Sequence, residues 1–152
     1  AAPSVGGWQV VTDGHAVLPE GMTHLPDEAF HNRTFLVSVA CPRSLVSIGS
    51  HAFTDCSSLS SIDLPVGLTS IGSGAFLYCS SLSRVNFPVT LTSIGKHAFD
   101  GCCSLASVTF PASLTSIGDQ AFRDCSALSS VNFPASLTSI DSSAFFGCSS
   151  LA

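Results

Sequence analysis

Leu45, Leu68, Leu91, Leu114 and Leu137 recur every 23 residues, and no other feature of the chain restricts its fold as tightly. The same interval links Ile48, Ile71, Ile94, Ile117 and Ile140. It also links Phe53, Phe76, Phe99, Phe122 and Phe145, each preceded by Ala, and Pro42, Pro65, Pro88, Pro111 and Pro134. The shared pattern is LTSIGxxAFxxCSSLSSVNFPxS. A unit this short cannot bury its own apolar face, so successive units must stack, and each recurring apolar position becomes a column through the stack.

Cys56, Cys79, Cys102, Cys125 and Cys148 hold one position of the unit, three residues after the Phe and three before Leu59, Leu82, Leu105, Leu128 and Leu151. Flanked by core positions, they are expected to form a buried column, where free Cys behaves as a small hydrophobe. Equivalent residues on parallel strands lie about 4.8 Å apart with side chains pointing the same way. That geometry disfavours disulfides, which need convergent Cβ vectors, and it does not give the tetrahedral convergence of a zinc site. No metal or other cofactor is therefore expected. Cys103 falls where the other units carry Ser57, Ser80, Ser126 and Ser149, so it should be exposed. Cys41 matches Leu64, Phe87, Phe110 and Phe133 and should lie inside.

Hydrophobic residues at 45% can supply a substantial core for one domain of 152 residues. Charged residues are only 10%, against about a quarter in an ordinary soluble protein, so the surface is built from Ser, Thr, Asn and Gly. Net charge is -5, and Arg33, Arg43, Arg84, Lys96 and Arg123 are scattered. No basic stripe exists to neutralise phosphates, so nucleic acid is not an expected partner. No apolar run reaches the ~18 to 20 residues of a transmembrane helix. The start, AAPSVGGW, lacks Met and is compatible with cleavage after a small-residue signal site. A secreted or cell-surface location is favoured, with an organelle or intracellular complex as the alternative.

The unit LxxIxxxAFxxCxxLxxVxxPxx resembles the BspA-type leucine-rich repeat over roughly Leu18 to Ala152. The resemblance implies a right-handed, β-rich α/β-type solenoid of parallel strands, with short helical or turn segments opposite, and a role in microbial or protist surface proteins. The first unit departs from the pattern: Met22 stands for Leu, Leu25 for Ile and Arg33 for Cys, while Ala29-Phe30 and Leu36 are retained. Repeats are expected over 22–152, with residues 1–21 forming an N-terminal cap. In that cap Asp13-Gly14 would turn a β-hairpin, and Trp8 would cover the open core. The last unit is incomplete, so Phe145, Cys148 and Leu151 are expected to face solvent, further chain or another subunit.

By analogy with leucine-rich strands, Leu128, Val131 and Phe133 should point inward and Ser129, Ser130 and Asn132 outward. The equivalent outward sets are Val37, Ser38 and Ala40; Ser60, Ser61 and Asp63; Ser83, Arg84 and Asn86; and Ala106, Ser107 and Thr109. This face is the candidate protein-binding surface, although Arg84 is its only residue of the aromatic or Arg type that dominates interfaces. The alternative is a merely solvated sheet. Thr69-Ser70, Thr92-Ser93, Thr115-Ser116 and Thr138-Ser139 form a hydroxyl array of the kind found on ice-binding solenoids, or simply follow the repeat pattern. In the variable turn after Phe, Leu77, Tyr78 and Phe146 are candidate apolar contacts, as is Trp8 at the cap.

Catalysis needs a base beside a nucleophile or paired carboxylates in a cleft, and no such motif is present, so no catalytic residue is assigned. His51 and His97 share a repeat position two units apart, roughly 10 Å at strand spacing, too far to share a metal. His15, His24 and His31 lie in or near the divergent first unit. Asn32-Arg33-Thr34 is the single glycosylation sequon. The expected function is non-catalytic protein binding, with adhesion or host contact implied by the resemblance. The alternative is a structural subunit of a larger assembly, including one at a membrane.

Overall fold

The computed structural model describes residues 13–141 and 143–151. Each unit contributes a two-residue and a three-residue strand separated by turns. The three-residue strands are β1 (His15–Val17), β3 (Ser38–Ala40), β5 (Ser61–Asp63), β7 (Arg84–Asn86), β9 (Ser107–Thr109) and β11 (Ser130–Asn132). In β5, β7 and β9 a polar, β-branched, polar alternation buries only the middle residue, Ile62, Val85 or Val108. The two-residue strands are β2 (His24–Leu25), β4 (Ser47–Ile48), β6 (Ser70–Ile71), β8 (Ser93–Ile94), β10 (Ser116–Ile117) and β12 (Ser139–Ile140).

All pairing is parallel with a 23-residue register, for example Ile71↔Ile94 and Ile62↔Val85. The two-residue strands build one continuous six-stranded sheet, whereas the three-residue strands pair as β1-β3, β5-β7 and β9-β11. The second ladder is thus interrupted between β3 and β5 and between β7 and β9. β1, inside the expected cap, stacks on β3. The first arm of the expected hairpin and Trp8 lie outside the described residues.

The segment opposite the strands is a tight turn and not a helix among the described residues. Its residues adopt left-handed backbone at two recurring positions per unit. One is occupied by Glu28, His51, Gly74, His97, Gln120 and Ser143; the other by Asn32, Asp55, Tyr78, Gly101, Asp124 and Gly147. Left-handed residues break the helical path and turn amides outward toward the next unit. Phe53, Phe76 and Phe99 donate their N–H groups to Ala75, Ala98 and Ala121 carbonyls at 2.7 Å each. The turns are therefore hydrogen-bonded to each other, as the strands are.

Inside, Phe53, Phe76, Phe99 and Phe122 are fully buried and stack ring on ring at 5.0–5.2 Å. A second row, Phe87, Phe110 and Phe133, meets Phe99, Phe122 and Phe145 edge to face. Phe133, expected inside, keeps its place in that row but is 51% exposed, because no described turn covers it. Cys56, Cys79, Cys102 and Cys125 form the buried sulfur column, with Cys148 partly buried at its end. Each thiol donates to the carbonyl of the Phe one turn earlier: Cys56 to Phe30, Cys79 to Phe53, Cys102 to Phe76, Cys125 to Phe99 and Cys148 to Phe122, at 3.1–3.2 Å. Cysteine at this position therefore adds a weak donor to its apolar bulk.

Candidate functional site

Strands β5, β7, β9 and β11 place the expected binding face at the surface. Ser60, Asp63, Ser83, Arg84, Asn86, Ser107, Thr109, Ser129, Ser130 and Asn132 are exposed, and Ser61 is half-buried. Val37 and Ser38, also expected outside, are half-buried. Two shallow recesses mark this face. One of about 400 Å³ lies between β3 and β5, and one of about 270 Å³ lies over β5 and β7, lined by Ser61, Asp63, Arg84 and Asn86 among others. Asn86 is committed to the scaffold: its Oδ1 accepts from the Leu64 N–H at 3.0 Å, and Asn132 does the same for Phe110 at 3.1 Å. Ser83 and Ser129 hydroxyls donate to the Ser60 and Ala106 carbonyls. Asp63 and Arg84 are left as the charged groups of the face.

The threonine hydroxyls of the array, although at the surface, are engaged by the neighbouring turn. Thr92, Thr115 and Thr138 donate to the Thr69, Thr92 and Thr115 carbonyls at 2.9–3.0 Å, and Thr69 reaches the Val46 carbonyl at 3.3 Å. Their protons tie adjacent turns together. Of the apolar candidates, Tyr78 and Phe146 are exposed and Leu77 is half-buried. Asn32 is exposed, with left-handed backbone. His15 and His24 hydrogen-bond through Nδ1 to the hydroxyls of Ser38 and Ser47.

All seven cysteines are free, and Cys103 is exposed as expected. Cys41 is half-buried, short of the full burial expected, at the edge of a recess it shares with Asp63. Burial, followed by the Asp63 charge, pushes its thiol up to about 11. Desolvation pushes Cys56 up to about 12 and raises Cys79 and Cys102 as well. These thiols are poor nucleophiles because the thiolate is the reactive form. Among the described residues no group of three or more His, Cys, Asp or Glu could hold a metal ion.

A second cluster lies on the turn run, where sequence reasoning assigned no polar site. The turn-tip residues Thr54 and Asp100 are 5% and 1% exposed. His97 donates from Nδ1 to the Asp100 carboxylate at 2.8 Å, and Arg123, one unit on, donates from Nε at 3.2 Å. Hydrogen bonding to Asp100, then its charge, raises the Arg123 guanidinium pKa further. In the equivalent place two units earlier, the Thr54 hydroxyl donates to the Gly74 carbonyl at 2.8 Å and sits 3.0 Å from His51 Nδ1. With its proton spent on Gly74, Thr54 accepts from His51. The networks thus assign both imidazoles the Nδ1–H form, leaving each Nε2 as an acceptor when the ring is neutral.

Glycine shapes the hollow between them. At Gly74 a Cβ would lie 2.5 Å from the His51 ring, and at Gly101 it would lie 2.6 Å from the Tyr78 ring. The two rings fold over these glycines and wall a recess of about 290 Å³ lined also by Leu77, Lys96, His97, Asp100 and Arg123. The sequence signal was available in retrospect: His97 and Asp100 stand three apart in a turn, with Arg123 23 residues after Asp100.

Parallel strands at a fixed 23-residue register over Phe, Leu and Cys columns define a leucine-rich repeat solenoid. The BspA type leucine rich repeat region matches residues 23–152 in six copies, and the chain belongs to that family. A leucine rich repeat protein from T. pallidum is similar at 34% identity and a TM-score of 0.77, over 88% of this chain and 71% of that one. A leucine rich cell surface protein from Faecalibacterium prausnitzii is similar at 25% identity and a TM-score of 0.72, over 95% of this chain and 51% of that one. The pneumococcal vaccine antigen PcpA shares the fold, with 22% identity and a TM-score of 0.67 over 86% of this chain and 31% of its own. No curated protein matches the chain.

Proposed function

We propose that the chain is a non-catalytic, protein-binding module of an extracellular or cell-surface protein, and that it engages its partner through the face of the three-residue strands. The observation that carries this reading is the exposed row over β5 and β7. There Asp63 and Arg84 stand at the rims of shallow recesses on an otherwise uncharged surface. A weakly charged face carrying one anion and one cation is cheap to desolvate, and the two charges set orientation. Surface location is supported by the cell-surface protein from F. prausnitzii among the similar structures, and adhesion or host contact is the role that fits it. Exposed Asn32 is the proposed glycan acceptor if the chain passes through a glycosylating secretory route.

The test is capture of partners from an extracellular fraction by the immobilised wild-type chain and by a double variant, Asp63→Arg with Arg84→Glu. Loss of the captured protein in the variant, with unchanged circular dichroism, supports the face. Capture that survives the double reversal removes it from consideration. A structural-subunit role is the alternative reading, in which the exposed apolar turn residues Tyr78 and Phe146 meet a neighbouring subunit. It predicts a defined complex by native mass spectrometry that Phe146→Ser weakens and the sheet-face variant leaves intact.

A further inference from the structure

We propose that the turn-side recess between His51 and His97 binds an acidic saccharide, with a ring carboxylate of the uronic-acid kind at Lys96 and hydroxyls at the two imidazoles. Size comes first. About 290 Å³ is at the lower edge of small-molecule pockets, about 300 Å³ and upward, which suits one sugar ring better than a folded partner.

Charge comes second. Two of the five Lys and Arg residues, Lys96 and Arg123, line this one hollow in a chain of net charge -5. The single lining carboxylate, Asp100, is already engaged by His97 and Arg123. Arg123 spends its Nε on Asp100, and its Nη donors remain for a ligand oxygen in the bidentate manner that guanidinium favours. Lys96 is exposed and has no side-chain ion pair among the described residues, so its ammonium is the free cation of the site.

The polarity of the remaining wall narrows the class. With the Nδ1–H groups of His51 and His97 engaged by Thr54 and Asp100, Nε2 is the remaining polar atom of each ring, and it accepts from a ligand hydroxyl whenever the imidazole is neutral, a donor that a bare anion does not supply. The Tyr78 ring over Gly101 and the Leu77 side chain supply an apolar surface. A pyranose has one apolar face and a polar rim, and such a wall beside convergent polar groups matches it. An acidic peptide would use Lys96 and Arg123, but it brings isolated N–H or O–H donors to the imidazoles where a sugar ring brings several adjacent hydroxyls on one rigid frame.

The experiment is a titration of the purified chain with galacturonic acid, galactose and N-acetylglutamate amide, followed by the histidine and Tyr78 NMR signals. Galacturonic acid is expected to shift those signals with a dissociation constant on the order of 1 mM, at least about tenfold tighter than the other two probes. Lys96→Gln should abolish the preference of acid over galactose, Tyr78→Ala should weaken both sugars, and raised salt should weaken only the acid. Arg84→Ala, on the sheet face, should change nothing. Equal binding of galactose, equal or tighter binding of the glutamate probe, or no shifts at roughly ten times the expected constant would overturn the proposal. So would full affinity in a folded Lys96→Gln, Tyr78→Ala double variant.

Discussion

Phe99 shows how much one side chain does here. It is fully buried, stacks on Phe76 and Phe122 at 5.0 and 5.2 Å, and receives the edge of Phe87. Phe99→Ala should cost about 3 to 5 kcal/mol in chemical denaturation, the range for a buried aromatic truncated to Ala. A loss under about 1 kcal/mol would mean the neighbouring turns close the cavity freely. The thiols give a second prediction at this scale. Cys103 is exposed, whereas Cys56, Cys79, Cys102 and Cys125 are buried and bonded to Phe carbonyls. Burial also holds the Cys56 thiol near 12, so almost none of it is thiolate in neutral buffer. A thiol reagent under native conditions should modify Cys103 first and the four column residues only on unfolding. Mass mapping of early products checks the order, and comparable early labelling at Cys102 would contradict it. Column membership was legible because apolar identity repeats at one position. The pairing of Asp100 with Arg123 was not, because the two share one position of the variable turn in successive units, where Thr54, Leu77 and Phe146 stand elsewhere and no recurring identity marks it.

At the level of the element, the turn depends on close approach. A Cβ at Gly95 would lie 2.8 Å from the backbone of Gly72 and Ser73, and one at Gly72 would meet Gly49 and Ser50 at the same distance. This glycine column has ordinary backbone angles, so the requirement is space between neighbouring turns and not conformational freedom. Gly95→Ala should destabilise by about 1 to 3 kcal/mol, as overpacking does. Ser130→Ala on the open face should stay within about 0.5 kcal/mol, and equal denaturation midpoints for the two variants would refute the close-approach account. The repeat implied stacked units, and the family resemblance it carries implied strands with a segment opposite them, leaving helix and turn both open. The two left-handed positions decide for the turn, and they are hard to read because His51, Asp55, Tyr78 and His97 occupy them as well as glycine. The bonds from the Thr92 and Thr115 hydroxyls to the preceding turn were likewise hidden, since a strand pattern gives the side of a residue and not the partner of its proton.

For the molecule as a whole, the strand pairs and cross-turn backbone hydrogen bonds between units, among the described residues, join each unit to the one before or after. The register is 23 residues throughout, and the cross-turn bonds span neighbouring turns only. Stability in such a stack is a sum of units and interfaces, so protection should be graded. Hydrogen exchange should be slowest at the Phe76 and Phe99 amides, which donate at 2.7 Å in the middle of the stack, and faster at Phe146 and Leu151. A single uniform rate across these amides would show that the stack opens only as one body.

The sulfur-to-carbonyl bond described above, which always reaches back to the preceding turn, makes each coil interchangeable with its neighbour. Excising residues 57–79 would join Cys56 to Ser80 with phase intact, and Cys102 would then meet the carbonyl of Phe53 in place of Phe76. The product should be a shortened rod, trimmed by about 4.8 Å in length, in which the same grammar of rings, thiols and glycines closes over the splice.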